Sequence, residues 1–548
     1  MAGTKDGRPP HPAIAPLARA ARTGRMDRRE FLTLATALGL SGPAAHMALG
    51  LPAPARAQEA PPLPAPGILR CQMRVFPVDD PRLFDWSEKG NIARGLLENL
   101  VRYTADFTLE PWLLSDWEVS DDARHYVLRL RPDVTWSNGD PFTAEDVVAN
   151  LRRWCDTTVP GNSMTNRMAS LIDPATGQAR EGAIASPDPL TVELTLVDPD
   201  VTLIPGMADY PALIVHRDFD AQGANIALNP VGTGPYTLDA ILPGEGAVLV
   251  RRDGWWGGEV AVERIEYVDL GTDPSDFARA VVEARIDMIH DSTGAFVQMF
   301  DDLGLIRQDV LSGATLVCRT NRRTAPVYAD ARVRRALQLA VDNAVILELG
   351  YADLGAVGEN HHVAPMNPDY ADIGRPEPDP DAALALIREA GLEEYEHELV
   401  SIDDDWNRAS ADAIAAQLRD AGIQVRRTIL HGDDFWSSWQ SHGFSCTGWN
   451  MRPLGVQTLA LGYASTGMWN ETGFADPHFD QLLRLALGLV DPDARRAVMA
   501  ELEGILVADG TIIQPYWRQL AWHHTERVTG VRRHPMDEHH HDQWGLVP

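Results

Sequence analysis

The stretch Tyr126-Val-Leu-Arg-Leu-Arg-Pro-Asp-Val-Thr-Trp-Ser-Asn-Gly-Asp-Pro-Phe-Thr-Ala-Glu-Asp-Val-Val148 decides how this chain is read. Tyr126, Leu128 and Leu130 alternate with polar positions, the period of a strand with one buried face. Ser137-Asn-Gly-Asp140 supplies turn residues. Thr143, with Asp146 three positions on, predicts a helix start of the capping-box kind. Val147, Val148, Leu151 and Trp154 then give that helix an apolar stripe. All of these residues are scaffold, and none is assigned ligand chemistry.

Upstream, Leu97-Glu-Asn-Leu-Val-Arg-Tyr103, Asp106-Phe-Thr-Leu-Glu-Pro-Trp-Leu113 and Asp116-Trp-Glu-Val-Ser-Asp-Asp-Ala-Arg124 lead into this stretch in order. Together they resemble the signature region of the extracellular solute-binding proteins of family 5, the dipeptide, oligopeptide and nickel receptors of ABC importers. Asn229-Pro-Val-Gly-Thr-Gly-Pro-Tyr236 resembles the family pattern where the chain re-enters its first lobe. It is no phosphate loop, because the third glycine, the lysine and the following helix are missing.

The resemblance implies an α/β fold: a two-lobed periplasmic binding protein of type II, cluster C, with an extra subdomain inserted in the first lobe. The expected parts are lobe I at 67–96, the insert at 97–205, lobe I again at 206–319, lobe II at 320–515 and lobe I at 516–548. Periodicity agrees in several places. Asn91 to Leu100 reads as a helix, Leu190 to Leu196 as a half-buried strand, and Ala314 to Thr320 as an apolar strand. Leu399 to Ile402, the helix carrying Ala411, Ile414, Ala415 and Leu418, and Ile423 to Leu430 read as one βαβ unit. Ile512 to Trp522 reads as the strand that returns to lobe I.

Composition bounds the function. A chain of 548 residues exceeds what one core supports. Its formal net charge of -30 argues against a nucleic-acid partner, which calls for clustered Lys and Arg. The N-terminus carries Arg19, Arg22 and Arg25, then Arg28-Arg29 before Phe31-Leu32, a mildly apolar run, and Ala55-Arg-Ala57. That order predicts an export signal over residues 1–57, and the paired arginines resemble a twin-arginine (Tat) signal. A Pro- and Ala-rich disordered leader is expected over 58–66. The mature protein is expected in the periplasm, as a monomer that hands its solute to a membrane permease. Cys71, Cys155, Cys318 and Cys446 are far apart in sequence; buried free thiols are the commoner outcome, with up to two disulfides open.

Catalytic patterns are absent from the sequence: there is no G-x-S-x-G elbow, H-E-x-x-H or Walker loop. A binding protein rather than an enzyme is expected, without a cofactor; a secreted hydrolase is the remote alternative. His523-His524, His534 and Glu538-His-His-His-Asp542 concentrate imidazoles near the C-terminus and keep a metal or metallophore receptor in view. Neighbouring histidines on a strand face opposite ways, so no metal site is assigned to them.

The candidate ligand wall is Cys446-Thr-Gly-Trp-Asn-Met-Arg-Pro-Leu-Gly455 with Gly467-Met-Trp-Asn-Glu-Thr-Gly-Phe474. In peptide receptors that this chain resembles, the region after a Gly-Trp carries an aspartate that pairs with the peptide's amino terminus. Here Arg452 follows Gly448-Trp449, and no acid follows closely. Arg452 is therefore expected to bind a carboxylate or similar anion on the solute. Trp449 and Trp469 would wall the pocket, and Asn450 and Asn470 would hydrogen-bond. His362, Thr293 and Trp86 are weaker candidates, placed where the family's opposite walls lie. The expected solute is a peptide or a carboxylate-bearing amino-acid derivative such as an opine.

Overall fold

One long strand ties the two halves of the molecule together in the computed structural model, which describes residues 9–52 and 67–547. The principal sheet is formed by β1 (Ile68–Gln72), β2 (Tyr236–Leu242), β3 (Gly246–Arg251), β4 (Arg264–Val268), β5 (Met288–Ser292), β6 (Ile306–Thr320), β7 (His397–Ile402), β8 (Val425–Leu430), β9 (Phe444–Trp449) and β10 (Tyr516–His524). Their spatial order is β2-β3-β4-β1-β5-β10-β6-β9-β7-β8, with two short strands off this path. The first six of this order, on one side of β6, are called lobe I below, and β9, β7 and β8, on its other side, lobe II.

β6 is the crossing strand. Its first half, from Ile306 to Leu311, lies antiparallel to His524–Gln519 of β10. Its second half, from Thr315 to Thr320, lies antiparallel to Trp449–Phe444 of β9. β9 joins at Thr315, where β10 still pairs through Trp517 after a register shift, upstream of the expected division at residue 320. Burial explains why only the second half is visible as an apolar run: residues 312–320 are buried, whereas 306–311 are partly exposed. A strand covered on both faces reads as continuous apolar sequence.

The signature stretch folds as expected. Leu114–Val119, His125–Leu130, Thr191–Thr195 and Ile184–Asp188 form a separate four-stranded antiparallel sheet. Helix Ala144–Trp154 packs on it, and the Thr143 amide donates to Asp146 Oδ2 (2.9 Å) at its start. The helix expected over Asn91 to Leu100 instead stops at Ala93. Its continuation is taken up by other bonds: the Gly95 and Leu96 carbonyls accept from the Tyr236 and Gly234 amides. Gly232 shows how close this approach is, since a Cβ there would sit 1.8 Å from the Leu96 carbonyl oxygen. The Gly232-x-Gly234 pair is thus a backbone docking point.

Lobe II is α/β. β7 and β8 run parallel, joined by helix Asp405–Asp420. Ala411, Ile414, Ala415 and Leu418 on that helix pack into one core with Val333, Ala336 and Leu337 of helix Ala331–Leu339. All four cysteines are buried thiols; Cys318 and Cys446 lie directly opposite in β6 and β9.

Of the expected export signal, residues 9–52 are described, and the Ala55-Arg-Ala57 motif and the 58–66 leader lie outside the described residues. Helices Ile14–Arg22, Arg28–Ala37 and Gly42–Ala48 pack on the body. Thr33 donates to the Phe107 carbonyl (2.7 Å), Trp117 Nε1 donates to the Ala37 carbonyl (3.1 Å), and Arg496 pairs with Glu30. No helix among the described residues is long and apolar enough to cross a membrane.

Candidate functional site

A cavity of about 190 Å³ lies between the lobes. One water needs roughly 10–15 Å³ of such space, so the room suits a solute of roughly a dozen non-hydrogen atoms. Lobe I contributes Trp86, Glu88, Tyr210, His290 and Asp291 to its lining. Lobe II contributes Asp404, Trp406, Asn407, Trp436, Trp449, Asn450, Arg452 and Trp469.

The Trp449 segment sits here because β9 ends at Trp449, at the edge of the crossing strand. Glu471, fully buried, fixes the indole: Trp449 Nε1 donates to Oε1 (2.8 Å), Thr447 donates to the same carboxylate, and Arg319 Nε donates to Oε2 (2.8 Å). A buried ion pair whose carboxylate takes two further donors holds its geometry firmly. Trp449 and Trp469 meet edge to face, with ring centroids 5.7 Å apart.

Arg452 is buried in the wall, and it has a partner that sequence spacing did not reveal. Its Nε lies 2.7 Å from Asp209 Oδ2, and Nη1 donates to the Asn450 and Met451 carbonyls. Asp209 is already paired with Arg167, whose Nε donates to the same oxygen (3.0 Å). Burial works to raise the Asp209 carboxyl, but the Arg167 and Arg452 guanidiniums outweigh it and hold it below the usual carboxylate range. Trp469 is flanked by both guanidiniums, each 5.5 Å from its ring centroid. Two cations thus share one anion, and Arg452 Nη2 donates to no described residue.

Of the other expected residues, Trp86, Trp449, Asn450 and Trp469 line the cavity with Arg452. Trp86 lies edge-on to Trp436 across the lobes, 4.2 Å between centroids. The remaining three do not line it. Asn470 is spent on the backbone: Nδ2 donates to the Ala464 and Phe474 carbonyls, and Oδ1 accepts from Thr472. His362 lies behind Trp449, bonded to the Tyr463 hydroxyl (2.9 Å), and burial pushes its imidazole down to about 3. Thr293 donates to Asp405 (2.7 Å), a hydrogen bond from lobe I to the start of the lobe II helix Asp405–Asp420.

Sequence reasoning missed the rest of the wall. Trp436 stands in Asp434-Phe-Trp-Ser-Ser-Trp439, and Asp404 in Asp403-Asp-Asp-Trp406, where the aromatic residues beside acids were a usable signal. Arg518 on β10 gave none. It donates to Asp291 (2.9 Å) and the Tyr351 hydroxyl (3.0 Å), and lies 4.1 Å above the Trp406 ring.

The C-terminal histidines close lobe I. His539 bridges Tyr267 (2.8 Å) and His290 (2.9 Å), and His541 bonds Tyr267 (2.7 Å). His534, Glu538 and His540 bring one ligating atom each within 4.8 Å of one another, outside the interlobe lining.

Comparison with known proteins agrees with this architecture. The dipeptide-binding protein DppE of Bacillus subtilis is 21% identical over 476 residues, covering 82% of this chain and 86% of its own. The Escherichia coli murein tripeptide binding protein MppA superposes with a TM-score of 0.80 at 19% identity, over 89% of this chain and 99% of its own. The binding protein AgaA of A. tumefaciens R10, solved with agropinic acid, gives 0.77 at 21% identity, over 88% and 99%. Residues 108–470 match the family model of bacterial extracellular solute-binding proteins, family 5, and the chain belongs to that family.

Proposed function

We propose that this protein is the periplasmic receptor of an ABC importer for a small solute carrying an anionic group. The observation that carries the reading is the Arg452 site: on the wall of an interlobe cavity, two buried guanidiniums share one carboxylate. Uncompensated buried charge is costly, and a carboxylate on the solute would supply the missing anion. A small dipeptide or a compact carboxylate-bearing amino-acid derivative, such as a small opine, matches the room in the cavity. The lobes close by hinge motion over the solute, and the closed form docks on a membrane permease. Closure reports occupancy because the solute favours the closed state. The receptor acts as a monomer by capture, without catalysis. Residues 1–57 serve as its export signal, of the Tat type, and N-terminal sequencing of exported protein starting after Ala57 would support this.

A metal-carrying role has one observation in its favour, the His534, Glu538 and His540 group. It lies away from the cavity, which favours the organic solute as cargo. The test is native mass spectrometry of freshly isolated protein, with X-ray scattering before and after the retained solute is returned. The expected result is a bound small molecule bearing an acidic group, whose return contracts the protein. A bound metal ion alone, or no contraction with any recovered compound, would overturn the reading.

A further inference from the structure

Elsewhere in the cavity lining the charge balance is reversed. Asp291 is bonded by Arg518 and by Arg533 (3.0 Å), and Asp537 is bonded by Arg533. Two further carboxylates in the lining have no ion-pair partner among the described residues. Glu88 comes from lobe I and is bonded by the Ser87 hydroxyl (3.1 Å). Asp404 comes from lobe II and caps helix Asp405–Asp420, accepting from the Asn407 amide and from Asn407 Nδ2 (2.8 Å each).

Asn407 supplies an independent sign of a ligand. It is 4% exposed and lines the cavity, and its Oδ1 is a buried acceptor with no donor. Flipping the amide would turn that oxygen toward the Asp404 carboxylate, so the orientation is fixed by charge. A buried acceptor without a donor costs about 1–3 kcal/mol, which a donor on the solute would recover. Trp86, Trp406 and Trp436 share this lining and report on what enters it.

We infer that this part of the cavity receives a positively charged, hydrogen-bond-donating group of the solute, an ammonium or guanidinium, held by Asp404 and Asn407 Oδ1, with Glu88 in the same lining. The inference rests on the receptor reading and narrows it: the cargo is zwitterionic, with its anion at Arg452 and its cation between the lobes.

The test uses fragments, so it does not depend on knowing the cargo. Methylguanidinium and n-butylammonium are titrated into the full protein alongside methylurea and n-butanol, their neutral counterparts. Binding is read from the tryptophan indole resonances, assigned with single Trp→Phe variants. The cations should shift the Trp86, Trp406 and Trp436 signals saturably, and the neutral compounds should not. Asp404→Asn combined with Glu88→Gln should weaken the cations about tenfold, the change expected when about 1.4 kcal/mol of charge interaction is lost. Asparagine also caps helices, so this variant keeps its fold, checked by an unchanged indole spectrum without fragment. Equal shifts from methylurea, undiminished binding by the double variant, or no shift from either cation would each overturn the inference. The receptor reading would survive such a failure, since solute retention and contraction test it separately.

Discussion

The two ends of the interlobe cavity are built from the same materials and carry opposite surpluses. At one end Arg452 and Arg167 share Asp209, and one positive charge is left over. At the other, Arg518 and Arg533 are matched by Asp291 and Asp537, and Glu88 and Asp404 are left over. A buried ion pair with matched charges shapes a wall and asks nothing of a ligand. An unmatched one is a demand for a partner, and its sign specifies that partner's chemistry. The difference between the ends therefore says more about the cargo than the aromatic residues do, since indoles line both.

The comparison breaks most visibly at the positive end. Arg452→Ala should weaken binding of the retained solute at least about 100-fold, equal to about 2.8 kcal/mol, as measured by calorimetry. Arg167 still holds Asp209 in that variant, so thermal stability should change little by comparison. Unchanged affinity would show that the surplus charge serves the fold.

The negative end should respond to pH. Burial, and then the neighbouring Asp405, push the Asp404 carboxyl up to about 7. The groups acting on it are Asp405, held by Thr293, and Arg518, held by Asp291. A folded-state value above the unfolded one means that Asp404 favours folding while protonated. Its contribution is then lost as pH rises through about 7 in the solute-free protein. A bound cation reverses the preference and favours the carboxylate. Affinity for a cation-bearing solute should therefore rise with pH up to about 7, by as much as about tenfold per unit, and binding should release protons. Affinity flat from pH 5 to 8, or proton uptake on binding, would count against a cation at this end.

Smaller effects separate the cavity from its supports. Thr293→Val removes the interlobe bond to Asp405 and leaves every group that lines the cavity in place. A hydrogen bond to a charged group contributes about 1.5–3 kcal/mol, so affinity should fall about tenfold or more through a less stable closed state. Scattering should show the variant more open without solute. Asn470→Ala strands the Ala464 and Phe474 carbonyls, which costs about 1–3 kcal/mol of stability. Its melting temperature should drop while affinity changes far less than in the Arg452 variant; a binding loss as large would return Asn470 to the site.

Scaffold and site differed in how far they could be read in advance. The 126–148 stretch was legible because strand alternation, turn residues and a helix cap are local signals, and all three recur in the structure. The Gly448-Trp449-Asn450-Met451-Arg452 segment was legible for a similar reason: one strand end carries Trp449 to the cavity. Asp209 was not, because it lies 243 positions before Arg452 in sequence. The same holds for Asp404 and Glu88, whose importance lies in having no ion-pair partner among the described residues, a property of three-dimensional placement. His362 and Asn470 misled in the other direction. Both adjoin the wall, yet hydrogen bonds to Tyr463 and to the backbone turn them away from it.

A crystal structure of the protein with its retained solute tests the central claim most directly. The solute should place an anionic group on Arg452 and a cationic group on Asp404, within hydrogen-bond distance of Asn407 Oδ1. A solute lying the other way round, with its anion on Arg518, or one with no charged group at either end, would contradict it.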